Sequence, residues 1–191
     1  MKTTAASDET FQRFTWCTRI IAPTVFFLFS FMTVFAQLSG DYTIGPGEDY
    51  ATITAACEDL DAKGLSGPVV FNISTGTYTE QFILPYIPTA SETNTITIQS
   101  ATGDASDVLV QYDAEGVDDN FVVKIVSGNF VRLRNISFKA LDEIYGTVIH
   151  LETYMFDLLL EGCRLEGNYD TNARARNVLL YTSGSGLKDI T

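Results

Sequence analysis

The chain is poor in three things that functional surfaces often use. Of its 191 residues one is histidine, His150, and three are cysteine. No Cys/His spacing matches a metal site, which excludes the zinc-module classes. Positive charge is the third shortage: 12 Lys and Arg stand against 24 Asp and Glu, a net charge of −12. Such a surface repels nucleic acid and anionic lipid, so a basic-groove binder is excluded. An acidic polysaccharide is repelled as well, unless a local basic patch or divalent cations intervene.

Three of the few cations, Lys2, Arg13 and Arg19, precede the apolar run Ile20–Ala36. The run closes on Val34-Phe35-Ala36 before Gln37, small or branched residues at the −3 and −1 positions of a signal-peptidase site. Pro23 interrupts it and it falls just short of a spanning helix, so residues 1–36 read as a cleaved signal peptide. An uncleaved N-terminal anchor is the alternative. The expected location is outside the cell or on its surface, with no other membrane contact. Removing residues 1–36 takes three cations and two anions (Asp8, Glu9), leaving 9 against 22 and a net charge of −13. Cys17 goes with that segment. Cys57 and Cys163 remain and read as buried thiols rather than a disulfide, although export would permit one.

What the chain does have is a repeat. Val131-Arg132-Leu133-Arg134-Asn135-Ile136-Ser137-Phe138 returns as Leu158-Leu159-Leu160-Glu161-Gly162-Cys163-Arg164-Leu165, 27 residues on. A third copy, Leu187-Lys188-Asp189-Ile190-Thr191, follows after another 27. A fixed period in the twenties, written in strands, is the mark of a stacked solenoid. Within each copy the apolar alternation slips phase at Asn135, Gly162 or Asp189, residue types that tolerate a left-handed conformation. Two short strands meeting at such a corner, restacked in every coil, describe an all-β, right-handed parallel β-helix. The expected organisation is a cap over 37–66 and coils of ~27 residues over 67–191, unfinished at Thr191.

In chain order, Tyr42–Ile44 is a short strand, and Ile53, Ala56, Cys57 and Leu60 then fall at helical spacing. Thr52 is placed to N-cap that helix and Gly64 to end it, so it is expected to cover the open end of the solenoid. Strands are expected at Pro68–Ser74, Thr77–Leu84, Thr95–Ser100, Val108–Tyr112, Phe121–Val126, Val148–Leu151 and Val178–Tyr181. The repeat also stacks Arg134 on Glu161 on Lys188, and Lys139 on Glu166, as structural cross-strand ion pairs. His150 falls opposite Lys124 on the outer face, a solvated histidine rather than a general base.

Two carboxylates are candidates for chemistry. Glu143 and Asp170 are again 27 apart and both follow a strand, so equal loops would bring them together as an acid/base pair. The competing reading is two solvated loops in an acidic chain. The loop Asp113–Asp119 offers oxygens for Ca²⁺ without defined ligand spacing, and no cofactor is expected. Asn72-Ile73-Ser74 and Asn135-Ile136-Ser137 match the glycosylation sequon.

Gly47-Glu48-Asp49-Tyr50-Ala51-Thr52-Ile53-Thr54-Ala55-Ala56, then Pro68–Ile73 and Gly76-Thr77-Tyr78-Thr79-Glu80, resemble the opening of the pectin-lyase-like β-helix proteins. The pectin methylesterase branch, and the β-helix proteins that bacteria export, are the nearest in pattern. That branch carries a G-D-Y-x-T-I-x-A-A helix cap, a strand and a G-x-Y-x-E turn. Its oxyanion-supporting glutamines would fall on Thr147 and Tyr169, where this chain departs from the pattern; Asp170-Thr171 keeps the aspartate and threonine of its Q-D-T-L turn. By this resemblance Asp170 is a catalytic acid/base, and the branch's nucleophilic aspartate and arginine fall beyond Thr191.

These readings lead to an exported β-helix module of a larger secreted or surface protein, not itself catalytic and contacting glycans. The alternative is a pectin methylesterase-like enzyme, a carbohydrate esterase working through Asp170 with its remaining machinery downstream.

Overall fold

The computed structural model describes residues 36–168, 178–183 and the strand Leu187–Ile190. The chain opens with strand β1 (Leu38–Ile44) and helix α1 (Ile53–Lys63), followed by strands that all pair in parallel. Sheet A runs β1, β2 (Leu65–Ile73), β5 (Ile96–Ser100), β8 (Val131–Arg134), β11 (Met155–Glu161) and β14 (Leu187–Ile190). Sheet B runs β3 (Gly76–Thr79), β6 (Val108–Tyr112), β9 (Ser137–Ala140) and β12 (Arg164–Glu166). Sheet C runs β4 (Phe82–Leu84), β7 (Val123–Ile125), β10 (Ile149–Leu151) and β13 (Leu180–Thr182). Each coil therefore visits A, B and C in turn, and the fold is a parallel β-helix.

Its interior is made by the alternation read from sequence. Val131 and Leu133 point inward from β8, Phe138 inward from β9, and Ile136 lies buried at the corner between them. Asn135 makes that corner at φ 52°, and Gly162 repeats it at φ 63°. Glycine is needed at the second position for two reasons. The backbone is left-handed, and a Cβ there would collide with Oδ1 of Asn135 in the coil below. A second left-handed pair, Phe130 at 56° and Asp157 at 57°, accompanies the same sheet A strands and has no sequence signature of its own.

Helix α1 forms as the caps predict. The Thr52 hydroxyl accepts from Ala55 N–H at 3.1 Å, and Gly64 N–H (φ 66°) donates to the Leu60 carbonyl at 2.8 Å. Ile53, Ala56, Cys57 and Leu60 are buried, and the helix packs on β1, β2 and β4. Its N-terminus receives a second cap from far along the chain. The Glu80 carboxylate accepts from Ile53 N–H, Thr54 N–H and the Thr54 hydroxyl at 3.1, 3.0 and 2.6 Å. The Tyr78 hydroxyl donates to the Ile44 and Ser74 carbonyls, and the Tyr50 hydroxyl to Asp59 at 2.6 Å. The motifs behind the family resemblance are thus spent on fastening the cap to the first coil.

Glu80 also corrects one expected strand. Thr77–Leu84 is not continuous: the chain turns from sheet B to sheet C at Glu80-Gln81, giving β3 and β4. The side chain of Glu80 leaves for the helix, while Gln81 Nε2 donates to the Asp119 and Phe121 carbonyls.

The period needs a second correction. Val131 pairs with Leu158 and Val69 with Ile96, both 27 apart, but Ile96 pairs with Val131 across 35. The last copy is displaced accordingly: Leu187 pairs with Met155 and Ile190 with Leu158, not with Leu160 and Cys163. Ladder register is fixed by the strands, whereas the loops between them vary in length, so a constant period cannot be extrapolated across every coil. The Arg134–Glu161 pair forms at 2.8 Å and Lys139–Glu166 at 2.5 Å, but Lys188 stands opposite Phe156 and does not extend the first column.

Candidate functional site

The outer face of sheet C carries a column set by strand register. Ile83 pairs with Lys124, Lys124 with His150, and His150 with Tyr181. The residues flanking Ile83, Lys124 and His150, such as Ile149 and Leu151, are buried in the core, so these three face outward and Tyr181 continues their column by register. Over the later coils this face hollows into a cleft of about 480 Å³. His150 and Tyr181 both line it. Asn120, Thr147 and Ser183 bring polar groups to its sides, and Val117 and Val178 bring apolar ones.

His150 is held more firmly than a solvated surface histidine. Its Nε2 lies 3.0 Å from the Ser183 hydroxyl, and its ring sits between Phe121 and Tyr181, with centroids 6.4 and 5.0 Å away. Burial lowers its pKa from the ordinary value and Lys124 lowers it further, against a smaller opposing pull from Glu152. Both effects favour the neutral ring. Lys124 is itself engaged: its Nζ lies 3.8 Å from a Glu152 oxygen and 5.0 Å from the Phe121 ring centroid. The Ser183 hydroxyl also donates to the Glu152 carbonyl at 3.2 Å.

Thr147, the position where the esterase pattern has a glutamine, does line this cleft. Its backbone N–H donates to Asn120 Oδ1 at 2.9 Å. Glu143 lies exposed in the loop before β10, outside the cleft lining. That loop is shaped by Asp142, whose Oδ1 accepts from Ile144 and Tyr145 N–H at 2.8 and 2.6 Å. Asp170 and Tyr169 lie outside the described residues, as do residues 1–35 with Cys17 and most of the expected signal. No helix among the described residues is long and apolar enough to cross a membrane.

The Asp113–Asp119 loop has a use for its last carboxylate. Asp119 accepts from Glu115 N–H, Gly116 N–H and the Tyr112 hydroxyl, at 3.0, 2.8 and 3.4 Å. The Glu115 N–H bond is the main reason its pKa lies below the usual carboxylate range. Among the described residues no cluster of three His, Cys, Asp or Glu is arranged to hold a metal. Cys57 is buried beside a second hollow of about 350 Å³ at α1 and β4. Burial raises its thiol pKa strongly, which makes it unreactive. Asn72 of the first sequon is committed to a ladder, its Oδ1 accepting from Gln99 Nε2 at 2.9 Å.

Sequence reasoning placed His150 opposite Lys124 but missed Tyr181 and Ser183. The register from β7 to β10 is 26 residues and from β10 to β13 it is 31, so no single period lays Tyr181 on His150.

No family model matches the chain, and no curated protein matches it. The solved structures it is similar to include the pectin methylesterase from Aspergillus niger in penultimately deglycosylated form, at 18% identity and TM-score 0.40. The deglycosylated form of the same enzyme gives 17% and 0.39. Each match covers 67% of this chain and 57% of that one, so the chain spans little more than half the length of that enzyme. What the chain has in common with them is a fold, the parallel β-helix, and the register of its own strands establishes it.

Proposed function

We propose that the chain is a glycan-contacting β-helix module, exported and belonging to a larger secreted or surface protein, with the sheet C cleft as its contact site. The observation that carries this reading is the cleft's make-up: an aromatic ring, Tyr181, 46% exposed, lines it together with amide and hydroxyl side chains. Sugars present apolar C–H faces ringed by hydroxyls, so a flat ring with hydrogen-bonding groups around it is the complementary chemistry. Tyr181→Ala is expected to weaken oligosaccharide binding at least tenfold in calorimetry; equal affinity in the variant would remove the cleft from the reading.

The retained Asp170-Thr171 pair favours a second reading, a carbohydrate esterase with Asp170 as acid/base, whereas threonine in place of glutamine at 147 counts against it. The two separate on one variant. Asp170→Asn is expected to leave glycan affinity intact if the chain is a binding module, and to abolish ester hydrolysis if it is an enzyme.

A further inference from the structure

The charge arrangement under the cleft says which sugars fit it, an inference that rests on the glycan reading above. Four observations bear on it. The lining residues, among those described, include no carboxylate and no lysine or arginine. The cation beneath them, Lys124, is compensated by Glu152 and further held over the Phe121 ring. Among the described lining residues the one titratable base, His150, is partly buried and paired in register with Lys124, surroundings that disfavour a second positive charge. The chain as a whole carries a net charge of −12.

We infer that the sheet C cleft takes a neutral glycan, and that the Lys124–Glu152 pair sets this preference by denying a sugar carboxylate its counter-charge. A uronate entering the cleft would lose hydration of its carboxylate and approach an acidic protein, with no uncompensated cation among the described lining residues to offset either cost. A neutral sugar meets neither obstacle. It stacks on Tyr181 and exchanges hydrogen bonds with hydroxyl and amide groups. The pair is also the lever for changing the preference. Removing the Glu152 charge leaves Lys124 uncompensated directly below His150, and so supplies the missing partner for a carboxylate.

The test is calorimetric titration of the full chain at pH 7 with cellohexaose, xylohexaose, galactohexaose and hexagalacturonate, at low and high salt. At least one neutral hexasaccharide is expected to bind tenfold or more tighter than hexagalacturonate. In Glu152→Gln, hexagalacturonate binding is expected to rise at least fivefold and to fall again with salt, the neutral affinity staying within twofold. Lys124→Met with Glu152→Gln should lose that gain. Tighter binding of hexagalacturonate by the unaltered chain overturns the inference while leaving the glycan reading standing. Binding of none of the four overturns both. An unchanged uronate affinity in a folded Glu152→Gln variant, verified by its circular dichroism, overturns the role of the ion pair.

Discussion

At the scale of single residues, the corner Asn135–Gly162 shows how much one conformation decides. Both residues are left-handed, yet they are not interchangeable, because the Asn135 side chain occupies the space in which a Cβ on Gly162 would lie. Gly162→Ala is expected to cost about 1–2 kcal/mol from the backbone conformation alone, with the collision added. A drop in the midpoint of chemical denaturation checks this; an unchanged midpoint would show that the corner relaxes freely. His150 supplies a prediction in pH. Burial and Lys124 lower its folded pKa, so the unfolded chain takes up its proton first as the solution is acidified. The stability linked to the neutral ring is present above the unfolded value of about 6.5, and it is lost as pH falls through the folded value. His150→Gln is expected to flatten the denaturation midpoint over that window. Asp59 and Asp119, whose pKa values are also lowered, act only at lower pH, below the unfolded carboxylate value of about 3.9.

At the scale of elements, local signals were legible and long-range partners were not. Thr52, Gly64 and the four apolar positions of α1 announce the helix, since an N-cap and a C′ glycine act within a few residues of themselves. The corner at Asn135 and its copy at Gly162 are legible for the same reason. Nothing local says that Glu80, separated from the helix by β2 and β3, completes the helix N-terminus, nor that this breaks Thr77–Leu84 into two strands. The cleft was hidden in the same way: the 26-residue step from Lys124 to His150 could be read, but Tyr181 joins them only after a longer loop is closed. The Glu80 contact has a measurable consequence. Glu80→Ala removes the acceptor from two helix N–H groups and a hydroxyl, and is expected to destabilise by about 1–3 kcal/mol. The loss should appear as faster hydrogen exchange in α1 first. Glu80→Gln, which keeps one acceptor oxygen, should recover part of it.

At the scale of the whole molecule, the solenoid is held coil to coil, by ladders, by the buried column inside and by ion pairs outside. The pairs Arg132–Asp157, Arg134–Glu161 and Lys139–Glu166 each join one coil to the next, but they are partly exposed and contribute a few tenths of a kcal/mol apiece at most ordinary salt. Cohesion therefore comes mainly from the core, and the core is not uniform along the axis. Val123 and Ile149 are fully buried in sheet C, whereas Leu180, next in the same inward column, is 38% exposed. In sheet B, Phe138 is fully buried and its neighbour Leu165 only partly so. In a stack whose units touch only their neighbours, stability follows local interfaces, and units with fewer buried contacts open first. Hydrogen exchange followed by mass spectrometry is expected to protect β7 to β10 most strongly and to find β12 and β13 exchanging at least tenfold faster. Equal protection along the axis would mean that the coils open together, and that the exposed inward positions of β12 and β13 weaken nothing.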